Sequence, residues 1–254
     1  MTTTTERVDG AAQHLVAARH AGVPGPLLPD AFRPEDVDTA LAIQHRVADL
    51  LGEAVGGWKC ASPPPDRVIV APIFASTIRE AGGAYRVAGD TPIARIEPEI
   101  AFVLDRDLPA RTQPYDENDV RDAIREVRLV LEVPGCRYAE PARASKFELL
   151  ADGQFNQGLC VGPVVPDGLR APLAGFALSF DGALNRTIDG LHPDGDPLKP
   201  LVWLVNFLAS RGDAARAGQI VTTGSYAGVI DVPLGDVLTV RFGDLGSLSV
   251  TLTA

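Results

Sequence analysis

Two glutamates separated by one proline, Glu97-Pro98-Glu99, stand inside the otherwise apolar stretch 94–104 (ARIEPEIAFVL). Ile96, Ile100, Ala101, Phe102, Val103 and Leu104 give that stretch the character of a strand. A strand sends alternate side chains to opposite faces, so Glu97 and Glu99 point the same way. Carboxylates that converge to about 4 Å repel by roughly 4 kcal/mol at an effective dielectric near ~20. Solvent, an arginine, a shared proton or a divalent cation must relieve that repulsion. A hard divalent cation takes several oxygen ligands. Glu132 is the best third candidate, because it ends the apolar run Val127-Arg128-Leu129-Val130-Leu131 just before Val133-Pro134-Gly135. The alternative is a surface ladder in which Glu97 or Glu99 pairs with Arg95 or Arg128. Pro98 removes a ladder donor, which predicts an edge strand or a bulge. Such features are common next to active sites.

A second chemical signal is a lysine. Of 23 basic residues only Lys59, Lys146 and Lys199 are lysines. Lys59 lies in Gly56-Gly57-Trp58-Lys59-Cys60-Ala61, among apolar and small neighbours. A buried lysine shifts its pKa readily and suits acid/base work. The other reading is a packed stem with its head in solvent. His14, His20 and His45 fall on predicted helices and His192 in a turn; no pair has zincin spacing, and no G-x-S-x-G elbow occurs. Thr222-Thr223-Gly224-Ser225 lacks the lysine and glycine spacing of a phosphate loop, so it is either an anion-facing run of hydroxyls and N–H groups or a plain tight turn. Cys60, Cys136 and Cys160 form no C-x-x-C pair, which points to a reduced, cytoplasmic protein.

These residues need elements to hold them. The 254-residue chain is 46% hydrophobic, enough for a substantial core. Acidic residues outnumber basic ones 33 to 23, for a net charge of -10. That balance argues against nucleic acid and against a polybasic membrane site. No apolar run reaches the ~18 residues of a spanning helix, and MTTTTERVDG lacks the regions of a secretory leader. Helical spacing predicts helices over 7–22 and 33–51, with residues 1–6 frayed. Short strand-like runs follow at 58–62, 68–74, 84–87, 94–104 and 127–133, then at 158–165, 176–180, 220–223, 237–242 and 247–252. Helices over 117–126 and 198–211 interrupt them, and 189–200 reads as a loop. The expectation is a β-rich α+β fold with a helical N-terminal lobe, 1–55, on a β-rich catalytic domain, 56–254.

Taken together the motifs resemble the 2-keto-4-pentenoate hydratase / 4-oxalocrotonate decarboxylase branch of the fumarylacetoacetate hydrolase superfamily. The resemblance is carried by Gly57-Trp58-Lys59, by Ile96-Glu97-Pro98-Glu99-Ile100-Ala101-Phe102, by Leu131-Glu132, and by Ala151-Asp152 with Gly158. Trp203-Leu204 with Asn206 follows, then Ala217-Gly218-Gln219-Ile220-Val221 through Thr223-Gly224-Ser225 to Phe242-Gly243-Asp244-Leu245-Gly246-Ser247. It implies a mixed β-roll with a small helical N-terminal part, in a homo-oligomer, serving aromatic catabolism. It implies Mg²⁺, or Mn²⁺, on Glu97, Glu99 and Glu132. Lys59 would move a proton or orient water, its pKa lowered by burial and the ion. Ser225, with Gln154 or Asn156, would hold oxygens of a small 2-oxo acid.

The activity implied is a lyase that hydrates a 2-hydroxy-2,4-dienoate through its 2-oxo-3-enoate tautomer. Decarboxylation of a 2-oxo-3-enedioate on the same centre is the alternative, with Arg67, Arg137 and Arg143 as candidates for a distal carboxylate. A non-catalytic partner in a pathway complex stays open, because the acid expected beside the lysine is absent from Ala71-Pro72-Ile73-Phe74-Ala75-Ser76. Water or Asp66 is the candidate stand-in. The segment Ala151-Asp152-Gly153-Gln154-Phe155-Asn156-Gln157-Gly158 also departs from the usual A-D-N-A-S pattern.

Overall fold

From Ile100 onward the Glu97–Glu99 strand carries apolar side chains on both faces, the composition of a strand covered on either side. In the computed structural model, which describes residues 3–65, 67–89 and 91–254, that strand lies inside an eight-stranded sheet. The chain begins with α1 (Thr4–Ala21) and α2 (Val37–Leu51), then β1 (Val55–Cys60), β2 (Val70–Phe74), β3 (Ile78–Glu80), β4 (Ala84–Arg86) and β5 (Ile93–Leu104). Next come α3 (Glu117–Arg121), β6 (Ile124–Pro134), α4 (Lys146–Ala151), β7 (Asn156–Val164), β8 (Gly175–Gly182), β9 (Arg186–Leu191) and α5 (Leu198–Ser210). The chain closes with β10 (Ile220–Thr222), β11 (Ile230–Pro233), β12 (Val237–Phe242) and β13 (Ser247–Thr253).

The larger sheet runs β2-β1-β10-β5-β6-β7-β3, with β11 also paired to β5; the smaller runs β4-β13-β12-β8-β9. Parallel and antiparallel pairs mix, as between β1 and β10 against β5 and β6. Alternation divides the core. Ile96, Ile100, Phe102, Leu129 and Leu131 share one cluster with Leu15 and Ile43 of the N-terminal helices and with Phe180 and Phe242 of the second sheet. Ala101, Val103, Val130, Leu159 and Ile73 pack on the opposite face. Each such buried large side chain contributes about 1.5–3 kcal/mol.

Several boundaries differ from the sequence reading. The predicted 33–51 helix begins only at Val37, because the Asp36 carboxylate caps it by accepting from the Thr39 N–H at 2.7 Å. The predicted 117–126 helix stops at Arg121, and Ile124 enters β6 opposite Leu104. The 189–200 stretch is not one loop: β9 reaches Leu191 and α5 starts at Leu198. Thr3 caps α1 in a capping box with Glu6, so the described part of 1–6 is ordered by that cap. No helix among the described residues is long and apolar enough to cross a membrane.

Pro98 does not mark an edge strand. It pairs with Leu131 of β6 on one side. On the other side β5 changes neighbours, from β11 at 93–96 to β10 at 101–103. Pro98 sits in the interval, where its carbonyl accepts the Tyr226 N–H at 3.0 Å. A strand residue turns its N–H and C=O to the same side, so the missing proline N–H faces a gap that has no ladder to break.

Gly57 brings β1 against β10 and so places Lys59. A Cβ there would lie 2.2 Å from Ile220 O. Gly57→Ala is expected to force the strands apart and to lower stability by about 1–3 kcal/mol, read as a lower urea midpoint; an unchanged midpoint would refute the close approach.

Candidate metal centre

Strand pairing alone gathers the three glutamates. Glu97 lies directly opposite Glu132 across the β5–β6 ladder, and Glu99 is two residues along on the same face. One carboxylate oxygen from each of the three lies within 4.8 Å of the others. Glu99 and Glu132 are buried, and Glu97 is partly so. Lys59 of β1 pairs with Thr222, which pairs with Ala101, so it stands on the same face. Its Nζ donates to Glu132 Oε1 at 2.6 Å and to Gln154 O at 3.1 Å, and lies 3.9 Å from Glu97 Oε2.

The surface-ladder alternative fails on geometry. Arg95 pairs with Asp231, and Arg128 with Glu126 and Glu80. Among the described residues no arginine forms an ion pair with Glu97, Glu99 or Glu132. Three carboxylates against one ammonium leave two negative charges when all are ionised. Burial, then the charges of Glu132 and Glu97, push the Glu99 carboxyl well above its ordinary range; burial and Glu132 raise Glu97 as well. Burial works to lower the Lys59 pKa, but Glu132 and Glu97 outweigh it and hold it above the usual lysine value. The expected downward shift of Lys59 is therefore not what these protein groups alone produce.

The residues present fit a hard divalent cation. Glu132 Oε2 is buried and has no hydrogen-bond partner, while all the donors around that carboxylate fall on Oε1. Carboxylate oxygens are the donor set that Mg²⁺ and its like prefer. Glu99 is steadied by the Gly224 N–H, which donates to Oε2 at 2.9 Å.

The other expected site residues are placed as follows. Asn156 Nδ2 donates to Glu132 Oε1 at 3.1 Å, so the amide touches a candidate ligand. Gln154 reaches Lys59 through its main-chain oxygen, and its side chain donates to Val68 O at 3.3 Å. Ser225 Oγ donates to Gly228 O at 2.9 Å, closing its own turn beside Gly224. Of the candidate distal arginines, Arg137 is bound on all three guanidinium nitrogens within the fold, and Arg143 pairs with Glu140 on the surface. Arg67 is exposed on the loop before Val68. Asp66, the proposed stand-in acid, lies outside the described residues; the acid that contacts Lys59 is Glu132.

Two supports went unread in the sequence. His192 opens the turn expected of it, closed by the Gly195 N–H on its carbonyl at 2.9 Å, and is buried. Its Nδ1 accepts the Asp194 N–H at 3.2 Å, so Nε2 donates to Thr223 O at 3.1 Å and holds the loop that carries Gly224. Asp152 and Arg137 form a buried pair behind Asn156. The A-D segment signalled the aspartate; nothing local signalled its partner.

A family model for the C-terminal region of fumarylacetoacetate (FAA) hydrolases matches residues 46–253. A 2-keto-4-pentenoate hydratase of Paraburkholderia xenovorans (strain LB400) is 30% identical over 264 aligned residues, 96% of this chain and 94% of that protein. A 4-oxalocrotonate decarboxylase of Pseudomonas putida is 42% identical over 157 residues, 61% of this chain and 58% of the relative. Among solved structures, 4-oxalocrotonate decarboxylase from Pseudomonas putida G7, complexed with magnesium and adipate, superposes with a TM-score of 0.80 at 22% identity, covering 99% of each chain. That likeness establishes the strand-rich mixed fold.

Lys59 is the one protein cation placed among these carboxylates in the described residues. Lys59→Met is expected to lower the stability of the metal-free protein by about 3 kcal/mol, the order found when one partner of a buried pair is removed. Equilibrium urea unfolding reads this, and an unchanged unfolding free energy would remove Lys59 from the charge balance.

Proposed function

We infer that this chain, which belongs to the fumarylacetoacetate hydrolase family, is a cation-dependent lyase that adds water to a 2-hydroxy-2,4-dienoate through its 2-oxo-3-enoate tautomer. The observation that carries this reading is the Glu97–Glu99–Glu132 cluster, in which Glu132 Oε2 is buried and unpartnered. Glu97, Glu99 and Glu132 would hold Mg²⁺ or Mn²⁺. When bound, such an ion supplies Lewis-acid charge that favours the enolate character a 2-oxo acid must develop during conjugate addition of water.

The chain's own residues then divide the remaining work. Lys59 has three N–H donors; two are given to Glu132 and Gln154. The third is left to hold a substrate oxygen or a water. Held by Glu132 and Gln154, Lys59 Nζ is placed to move a proton or to orient a water. Glu132, hydrogen-bonded to it, supplies the acid contact that the 71–76 segment lacks. Ser225 can turn its hydroxyl from Gly228 O to a substrate carboxylate. The reading carries with it a homo-oligomeric, cytoplasmic enzyme.

Decarboxylation of a 2-oxo-3-enedioate is the second reading, favoured by the stretch shared with a decarboxylase. Arg67 is its candidate receptor for the far carboxylate, exposed and without an ion-pair partner among the described residues.

Purified protein mixed with Mg²⁺ and a 2-hydroxydienoate is expected to remove the dienoate's ultraviolet absorbance, and Glu97→Ala to cut kcat/KM by about a thousandfold, the equivalent of ~4 kcal/mol of lost transition-state stabilisation. Carbon dioxide release from the diacid in place of dienoate loss would transfer the assignment to the decarboxylase. Neither reaction, in protein whose melting temperature still rises with Mg²⁺, would leave the scaffold reading. At a hundred times its Kd the ion should stabilise the fold by about 2.7 kcal/mol, a rise of several degrees that Glu97→Ala abolishes.

A further inference from the structure

Between α4 and β7 the chain spends three consecutive residues in left-handed backbone: Gly153 at φ 90°, Gln154 at 52° and Phe155 at 66°. Non-glycine residues avoid that region because Cβ crowds the following carbonyl. Such a segment persists only where its surroundings over-determine it. Here the ties come from two directions. The Asp152, Gly153 and Gln154 N–H groups donate to Glu148 O, Leu150 O and Leu149 O at 3.0, 3.0 and 2.9 Å, prolonging the end of α4. From the end of β6, the Gly135 N–H donates to Phe155 O at 2.6 Å.

Arg137 is the buried residue that spans the run. Nε donates to Asp152 Oδ1 at 2.5 Å and Nη2 to Asp152 O at 2.6 Å, while Nη1 donates to Asn156 O at 2.9 Å. Its main-chain N–H donates to Asp152 Oδ2 at 3.0 Å. One guanidinium therefore grips the residue before the left-handed run and the residue after it. The run presents two groups to the carboxylate cluster: Gln154 O to Lys59 Nζ, and Asn156 Nδ2 to Glu132 Oε1. Both Lys59 and Asn156 donate to that same Oε1, and Oε2 is left over.

We propose that Arg137, with Asp152, is a positioning residue for the cation centre: it locks residues 153–156 so that Gln154 and Asn156 occupy Lys59 and Glu132 Oε1 and leave Glu132 Oε2 for the cation. The proposal rests on the cation-binding reading of the three glutamates. Arg137 contacts neither substrate nor ion and acts through the loop. Partners of this kind, one step removed from the ligands, change metal affinity by about 10–100-fold.

The test is titration of the full-length protein with Mn²⁺, following free ion by electron paramagnetic resonance, at a temperature where circular dichroism reads a folded chain. Arg137→Lys keeps the charge but has one nitrogen in place of three. Asn156→Ala leaves the Arg137–Asp152 pair intact and deletes only the amide that reaches Glu132. Each is expected to weaken Mn²⁺ binding about tenfold, and at saturating Mn²⁺ to lower kcat more than it raises KM. A purely structural Arg137 would lower the melting temperature of Arg137→Lys while both folded variants bound Mn²⁺ as the parent does; that result overturns the proposal. Should Arg137→Lys fail to fold, Asn156→Ala decides the question. Glu97→Ala separates the two levels. If it too binds Mn²⁺ like the parent, the cation reading falls and this inference with it; if it loses binding while the other two keep it, the inference falls alone.

Discussion

A buried ammonium cannot by itself balance three clustered carboxylates, two of them buried. Lys59 is placed against Glu132 and near Glu97, and still two formal charges are in excess when all three acids are ionised. Desolvation makes that excess expensive: each ion removed from water costs several kcal/mol that pairing must return. The protein could have spread the acids toward solvent or supplied a guanidinium. It instead turns Arg95 and Arg128 to other carboxylates, seals Glu132 completely and leaves one of its oxygens without a donor. An arrangement this costly to the metal-free fold makes sense where a doubly charged ion completes it. Much of the surrounding architecture follows from having to hold the acids together against their repulsion.

The sheet does that holding by register. Glu97 and Glu132 are direct cross-strand partners, a placement in which like charges destabilise a pair. Beneath them on the same face lie Ala101, Val103, Val130 and Leu159, a small apolar cluster that anchors the strands where the acids would separate them. The change of neighbour on β5 serves the same end. Between β11 and β10 that side of the strand has no ladder partner, and the 223–226 loop fills the interval through the Tyr226 N–H to Pro98 O and the Gly224 N–H to Glu99 Oε2. Proline at position 98 is tolerated because no ladder donor is needed on that side of β5.

The convergence of Glu97 and Glu99 was legible because it depends on alternation, a local property. Glu97 and Glu99 had to share a face, and the single lysine in a run of glycine, tryptophan and cysteine stood out in an arginine-rich chain. Glu132 was legible as an acid closing an apolar run, but its position opposite Glu97 is a fact of pairing. Elements with weak apolar signals were harder to see. The second half of the exposed edge strand β9, 189–191, reads as loop, and the six-residue α4 is too short to show a period although Ser145 and Glu148 spell its capping box. The partners of Asp152 and His192 were illegible for a different reason. Arg137 is fifteen residues from Asp152 and Thr223 thirty-one from His192, and no spacing rule joins such positions before the fold does.

The N-terminal helices belong to this argument, since they carry none of the candidate ligands yet reach the loop that does. Gln44 of α2 donates from one amide to Leu150 O at the end of α4 and to Val70 O of β2, the strand beside β1. Arg19 of α1 donates to Asp152 O at 3.2 Å, and burial beside Arg137 pulls its pKa down to about 9. A second guanidinium is thus crowded against an aspartate that Arg137 has already engaged. That crowding is unfavourable in isolation. It is tolerated because the Asp152 carbonyl and carboxylate are where both helical and sheet elements can grip the left-handed turn, and that turn sets the two groups that touch Lys59 and Glu132. The helical segment and the β-body share one core, and Arg19 of α1 and Gln44 of α2 each donate to the α4–β7 segment that touches Lys59 and Glu132.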